Sequence, residues 1–188
     1  MTEGKAADAP QAIYSRASFK GDRGDTFNAR AVYTPFSPPA QRSFKGLVVP
    51  ADPILANQPL RNAFRAKGKL VLILRGDVSF DVKMQHAVEA GAAGVIFCNT
   101  DDSLYLAEAS KEYTIPSVMM DHKAFMKLHG RNLMPAQRFT ADFDFDRLQT
   151  LHNSNAVEDA LSQGRMCKLE VTVVGGHNLK DMEFMFAM

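Results

Sequence analysis

The clearest pattern in the chain is an alternation of apolar and polar blocks after residue 69. The blocks LVLIL at 70–74 and VIFC at 95–98 are wholly apolar and too short for stable helices, so each predicts a strand buried on both faces. Between them, four apolar positions recur at helical spacing and predict a helix with one core-facing stripe. These positions are Phe80, Met84, Ala87 and Val88.

The ends of this helix are marked by residues of their own. Ser79 is placed as an N-cap whose hydroxyl accepts an amide hydrogen bond, and Asp81 complements the positive end of the helix dipole. Gly91 fits the left-handed residue that follows many helices. The pattern therefore predicts a helix over residues 79–90, and strand, helix and strand together predict a βαβ unit with parallel strands.

Further elements are predicted on both sides of this unit. Strands are expected at 26–35, 47–49, 115–120 and 138–145, and Asp121 should cap a short helix that ends at Gly130. Phe139, Ala141, Phe143 and Phe145 alternate with polar residues, which predicts an antiparallel strand that closes the domain.

Composition excludes several classes of function. The 188 residues contain 22 Lys+Arg and 21 Asp+Glu, which gives a net charge of +1. This balance lacks the excess of basic residues that is typical of proteins that bind nucleic acid or an anionic membrane. The apolar runs are shorter than the roughly 20 residues of a membrane span, and the polar N-terminus has no signal-peptide pattern. Cys98 and Cys167 are far apart and are expected to be buried apolar residues. These features predict a cytoplasmic, intracellular protein.

A linear motif runs through the same region. It consists of Arg75, Gly76, Asp77, Ser79, Phe80, Lys83, Ala90-Gly91-Ala92 and, later, Ile115-Pro116. This order resembles the protease-associated (PA) domain, a non-catalytic α/β module that many peptidases, sorting receptors and membrane ubiquitin ligases carry. The resemblance covers roughly residues 27–145.

The resemblance implies a fold class and a division of the chain. We expect an α/β fold, a PA-type open β-barrel or sheet with flanking helices, plus an appended C-terminal β-strand segment. The expected parts are a flexible N-terminal segment over 1–26, with an edge strand near 12–19 as the alternative, a PA-like domain over 27–145, a linker or short helix over 146–165, and an extra strand over 166–188.

The ligand site is predicted where two parallel strands end. Open α/β sheets bind ligands outside the carboxyl ends of their strands, and similar sorting receptors hold a peptide at the Arg-Gly turn. The predicted ligand-binding residues are Arg75, Gly76, Asp77, Val78, Asn99, Asp101 and Asp102. For Arg75, a structural role within its own turn is the alternative. Gly76 is also expected to provide a positive φ.

One departure from the family pattern concerns a disulfide. Secreted members often pair a cysteine before the Pro-Leu with one in the Arg-Gly turn, and the matching positions here are Asn57 and Val78. The resemblance therefore implies that this bridge is missing, which agrees with a reducing compartment.

The C-terminal segment has a second resemblance. CKLEVTVVGGHNLKDMEF looks like the first strand and loop of the calcium-dependent phospholipid-binding β-sandwich of synaptotagmins and protein kinase C, with Glu183 at the first ligand position. The other ligands of that site are missing before Met188, so no calcium site is predicted. An unrelated extra strand is the alternative; it would dock on its own domain or pair with a second chain as a homodimer.

The predicted function is a non-catalytic, PA-type module that binds a protein or peptide ligand, with no enzymatic activity, cofactor, metal or nucleic-acid partner. No Gly-x-Ser-x-Gly elbow, phosphate loop, dinucleotide fingerprint or zinc-peptidase motif occurs. The alternative is a membrane-recruitment adaptor, if a lipid-binding module continues past Met188. A third hypothesis, an enzyme whose active site is diffuse in sequence, is the weakest.

Overall fold

The computed structural model describes residues 13–132 and 138–145, which form strands and helices in one α/β arrangement. The strands are β1 Ile13–Gly21, β2 Thr26–Tyr33, β3 Ser43–Pro50, β4 Leu70–Leu74, β5 Gly94–Cys98, β6 Ser117–Met120 and β7 Phe139–Asp144. The helices are α1 Ala63–Ala66, α2 Phe80–Glu89 and α3 His122–Asn132.

The strands form a closed barrel in the order β1-β2-β6-β5-β4-β3-β7. Strands β3, β4, β5 and β6 are parallel neighbours, whereas β1, β2 and β7 join the barrel by antiparallel pairing. The predicted open barrel or sheet is therefore corrected to a closed one. Closure arises because β7 pairs with β3 on one side and with β1 on the other.

The parallel strands separate two apolar cores, as their uninterrupted apolar sequences predicted. In β4, Leu70 and Leu72 join the cluster that contains the barrel aromatics, while Val71 and Ile73 join the cluster that contains α2. Strand β5 alternates in the same way and is buried along its whole length. Both faces of this part of the sheet are thus packed, which leaves the strand ends as the place for loops with other roles.

Helix α2 follows the prediction with two differences. Its stripe includes the fully buried Met84 and Ala87, but Val88 is 39% exposed, so the prediction that Val88 packs on the sheet was wrong. Ser79 is the N-cap residue, yet its side chain makes no capping hydrogen bond. Gly91 has a φ of +71°, which confirms the left-handed residue after the helix. The next helix along the chain, α3, continues through Gly130 to Asn132, beyond the end that the sequence predicted.

Residues 13–21, part of the segment expected to be flexible over 1–26, form strand β1, as the alternative of a strand near 12–19 predicted, whereas residues 1–12 lie outside the described residues. Strand β1 pairs with β2 and with β7, so it lies within the barrel wall rather than at an edge. Burial explains its order, because Ala17 and Phe19 point into the core while their neighbours are exposed.

The domain boundaries at 27 and 145 stay predictions. The expected linker over 146–165 and strand over 166–188 lie outside the described residues, as does Cys167. Among the described residues, no helix has the length and apolarity needed to cross a bilayer.

Candidate functional site

The two segments predicted to form the ligand site start from adjacent strands. The last residues of β4 and β5, Leu74 and Cys98, are register partners in a parallel pair. The amide of Arg75 extends this ladder by donating to the carbonyl of Cys98 at 2.8 Å. The chain then continues as the 75–78 turn after β4 and the 99–106 loop after β5, which together we call the turn site.

Arg75 links the turn to the loop through its guanidinium group. Its Nη1 donates to Oδ1 of Asn99 at 2.9 Å, and its Cζ lies 3.8 Å from the centre of the Tyr105 ring. A planar guanidinium can stack on an aromatic ring while it donates hydrogen bonds from its edge. Arg75 is held by these two contacts, which supports the structural role for its side chain. The side chain is only half-buried, so part of it is still exposed to solvent.

Asn99 is the buried centre of the 99–106 loop. Its Oδ1 also accepts from the amide of Thr100 at 2.9 Å, while its Nδ2 donates to Oδ1 of Asp101 at 2.9 Å and to Oγ of Ser103 at 3.1 Å. Its backbone amide donates to the carbonyl of Met120 at 2.8 Å, which ties the loop to β6. Since buried polar groups are stable only when they are hydrogen-bonded, Asn99 holds the loop in one conformation.

Asp101 belongs to this network, whereas Asp102 lies beside a different region. Hydrogen bonds from the hydroxyl and the amide of Ser103 hold the pKa of Asp101 below its ordinary value, and the charge of Arg75 contributes less. Asp102 Oδ2 lies 2.9 Å from Nζ of Lys123 at the start of α3. The structure therefore groups Asp101 with Arg75 and Asn99 but places Asp102 at the border with α3.

The 75–78 turn has two residues with positive φ. Gly76 has a φ of +114°, as predicted, and Asp77 has a φ of +70°, which the sequence analysis did not anticipate. Val78 donates its amide to the carbonyl of Gly76 at 2.9 Å. The carboxylate of Asp77 accepts a hydrogen bond from the side-chain amide of Asn57. In secreted PA domains, the resemblance implies a disulfide between the positions that match Asn57 and Val78. In this chain, the hydrogen bond from Asn57 to Asp77 connects the same two segments.

Lys83 is the main residue that the sequence analysis missed as a structural group behind the site. Its side chain is fully buried, and Nζ donates to the carbonyls of Leu55 and, at 3.1 Å, of Leu74. Burial lowers its pKa to about 8, and the nearby charge of Asp77 partly opposes that shift. The signal was present, because position 83 falls three residues after Phe80 on the same helical stripe.

Cys98 is buried at the end of β5, as expected for a small apolar residue. Burial raises the pKa of its thiol, and the charge of Asp121 adds to the effect. In the described part of the chain, no group of three or more His, Cys, Asp or Glu side chains is arranged to hold a metal ion.

Comparison with protein families agrees with the motif and the fold. Residues 43–128 match the family model of the PA domain. This match begins at the first residue of β3 and ends within α3, so it includes the whole turn site. It supports a protease-associated domain in this part of the chain, as the Arg75-Gly76 motif predicted.

Individual proteins give shorter or more distant matches. Stretches of 36 residues are 56% identical to the PIII-type proteinase of Lactococcus lactis subsp. cremoris strain SK11 and 53% identical to a PI-type proteinase of the same subspecies. Each stretch covers 19% of this chain and 2% of the proteinase. The chain thus spans a very small part of these relatives.

A solved structure resembles the fold. The aminopeptidase from Aneurinibacillus sp. strain AM-1 matches with a TM-score of 0.50 and 19% identity, over 71% of this chain and 32% of the aminopeptidase. At this identity the likeness concerns the fold alone. The chain corresponds to about a third of that enzyme's length.

Proposed function

We propose that this chain is a non-catalytic binding module that holds a protein or peptide segment at the turn site. The observation that carries the proposal is the fixed position of Arg75 between Asn99 and Tyr105, at the carboxyl ends of two parallel strands. A cation that is already ordered loses little side-chain entropy when a ligand binds, so its hydrogen bonds contribute more to affinity.

The guanidinium has capacity for a ligand. Of its five N–H donors, one is used by Asn99, and the described residues provide no other side-chain acceptor for it. A peptide carbonyl or carboxylate reaching the half-buried group would accept the remaining donors. Gly76 and Asp77, which follow Arg75 in the turn, are exposed residues and offer further polar groups to a ligand.

The state of the other reactive groups supports binding rather than chemistry at this site. The thiol of Cys98 is buried and its pKa is raised, so it is neither accessible nor ionised. Asp101 is hydrogen-bonded within its own loop, and Lys83 points inward to two backbone carbonyls. These groups stabilise the loops that would surround a ligand.

The proposal is tested by selecting peptides from a random displayed library against the full chain and measuring the affinity of an enriched peptide by calorimetry. Arg75→Ala should weaken that peptide about tenfold or more and change the free energy of unfolding by only about 1 kcal/mol. Arg65→Ala is the matched control, because Arg65 is an exposed arginine on α1. Failure to enrich any peptide, or equal affinity of the Arg75 variant, contradicts the proposal. Loss of folding in that variant would make Arg75 a structural residue.

A further inference from the structure

A groove with a volume of about 270 Å³ lies between the outer face of β1 and β2 and the helix α3. Four of its lining side chains are cationic and one is anionic. They are Arg16, Arg30, Lys123, Lys127 and Asp121. We call this surface the basic groove. The whole chain, by contrast, has a net charge of only +1.

The strand side of the basic groove places two like charges opposite each other. Arg16 of β1 and Arg30 of β2 are register partners in an antiparallel pair, and both are exposed on the outer face. Like charges directly opposite on neighbouring strands destabilise a sheet. The barrel core gains nothing from this pair, because Ala17 and Ala31 fill the inward positions.

The helix side repeats the arrangement. Lys123 and Lys127 are separated by one turn of α3 and are both exposed. Like charges four residues apart on a helix are also slightly unfavourable. The groove therefore collects two unfavourable pairs on facing elements, and an anion bound between them would relieve both.

The local counter-charges neutralise only part of this surface. Asp121 Oδ2 lies 3.7 Å from Nη2 of Arg30, while its Oδ1 accepts the amide of Ala124 at 2.9 Å. Lys123 pairs with Asp102. Over the described residues, neither Arg16 nor Lys127 has a carboxylate within ion-pair distance, although Lys127 Nζ lies 5.2 Å from the centre of the Phe27 ring.

We propose that the basic groove binds an acidic peptide segment of a partner protein. A concave surface with cations on two facing walls fits side chains that carry carboxylates, whereas a flat anionic membrane would contact a protruding surface. Because its net charge is small, the chain also lacks the extended positive potential that attracts nucleic acids. The inference does not rest on the turn site, because Arg75 takes no part in it.

The test is fluorescence anisotropy of a labelled oligoglutamate peptide with the full chain, with oligoglutamine and oligolysine as peptide controls. Oligoglutamate alone should bind, and its affinity should fall as salt is raised. The double variant Arg16→Gln/Lys127→Gln should bind about tenfold more weakly. The variant Arg65→Gln/Lys67→Gln removes the same charge from another exposed surface and should bind like the unaltered chain.

Two further measurements decide between outcomes. Arg16→Lys keeps the charge and should keep the affinity, while circular dichroism verifies that each variant is folded. Absence of oligoglutamate binding, or equal weakening in the Arg65/Lys67 control, overturns the proposal. Binding only to mixed phosphatidylcholine–phosphatidylserine vesicles would also overturn it and would assign the groove to membranes. A failure here leaves the Arg75 experiment unaffected, since the two sites are altered separately.

Discussion

The turn site and the basic groove use their charged residues in opposite ways. In the turn site, Arg75 and Asp101 are engaged by partners within the same loops, and Asn99 satisfies both ends of its amide. In the basic groove, Arg16 and Arg30 face each other across a strand pair without a shared counter-ion. The fold thus depends on the first set of polar groups and tolerates the second. Substitution of the buried polar centre of the turn site, Asn99, should therefore lower stability more than substitution of an exposed charge in the groove.

The largest effect is expected in the apolar core between α2 and the sheet. Met84→Ala removes a fully buried side chain between α2 and the sheet and should lower the free energy of unfolding by about 2–5 kcal/mol. Met126→Ala is the matched control, because Met126 on α3 is 57% exposed and should cost less than about 0.5 kcal/mol. Urea unfolding measures both. Similar losses in the two variants would show that burial does not distinguish these methionines.

The turn site was predictable because its signals are contiguous in sequence. The apolar blocks at 70–74 and 95–98 identified two buried parallel strands, and residues that follow such strands come together at one edge of the sheet. Arg75 and Asn99 were therefore expected to be neighbours, and the structure places them in hydrogen-bond contact. That these residues bind a ligand stays a prediction.

The errors have local physical reasons. Val88 was assigned to the core because it continues the helical period, but α2 contacts the sheet along a narrow stripe that ends at Ala87. Lys83 belongs to the recognised motif, but its burial was not predicted, because a charged side chain was not expected in the interior. Its ammonium is accommodated there by hydrogen bonds to two backbone carbonyls.

The basic groove could not be predicted from the sequence alone. Its residues come from β1, β2 and α3, and only the barrel register brings Arg16 and Arg30 near Lys127. The sequence pattern also left open whether residues before 27 were flexible, so β1 and its arginine were not assigned to a surface. Residues that come together only in the folded barrel show no characteristic spacing in the sequence, so such a site cannot be predicted from a linear motif.

The next largest effect concerns the polar centre of the turn site. Asn99→Ala removes the buried amide that is hydrogen-bonded to Arg75 and Asp101, and it should cost about 1–3 kcal/mol of stability. Asn28→Ala is the control in the basic groove, since Asn28 is exposed and accepts a surface hydrogen bond from Ser18 at 3.0 Å. Thermal unfolding of both variants compares the regions directly. A larger loss for Asn28→Ala would reverse the comparison.

A smaller effect is the pH dependence caused by Lys83. Its pKa is about 8 in the folded protein, against an ordinary value of 10.5. Below pH 8 both states hold the proton, and the cost of burying the charge is fully present. Between pH 8 and 10.5 the folded state releases its proton while the unfolded chain keeps it, so stability should rise with pH.

The measurement compares the unaltered chain with Lys83→Met in denaturant unfolding at pH 7.5 and 9.5. The unaltered chain should gain about 1–2 kcal/mol relative to the variant over this range. The range stops below pH 10 because burial and a hydrogen bond to Asp81 raise the pKa of Tyr113, which makes stability fall again at higher pH. Parallel pH profiles of the two proteins would show that Lys83 does not titrate in this window.

The smallest effect should come from removing one charge of the basic groove. Arg16→Gln relieves the repulsion with Arg30 and should leave stability unchanged or raise it by up to about 0.5 kcal/mol. Because exposed charges are screened by salt, any gain should be greatest at low ionic strength and disappear as salt is added. Thermal unfolding at two salt concentrations tests this, with Arg65→Gln as the control for losing an exposed arginine. A loss above about 1 kcal/mol would mean that Arg16 stabilises the barrel, and the groove would then resemble the turn site in using its charges for the fold.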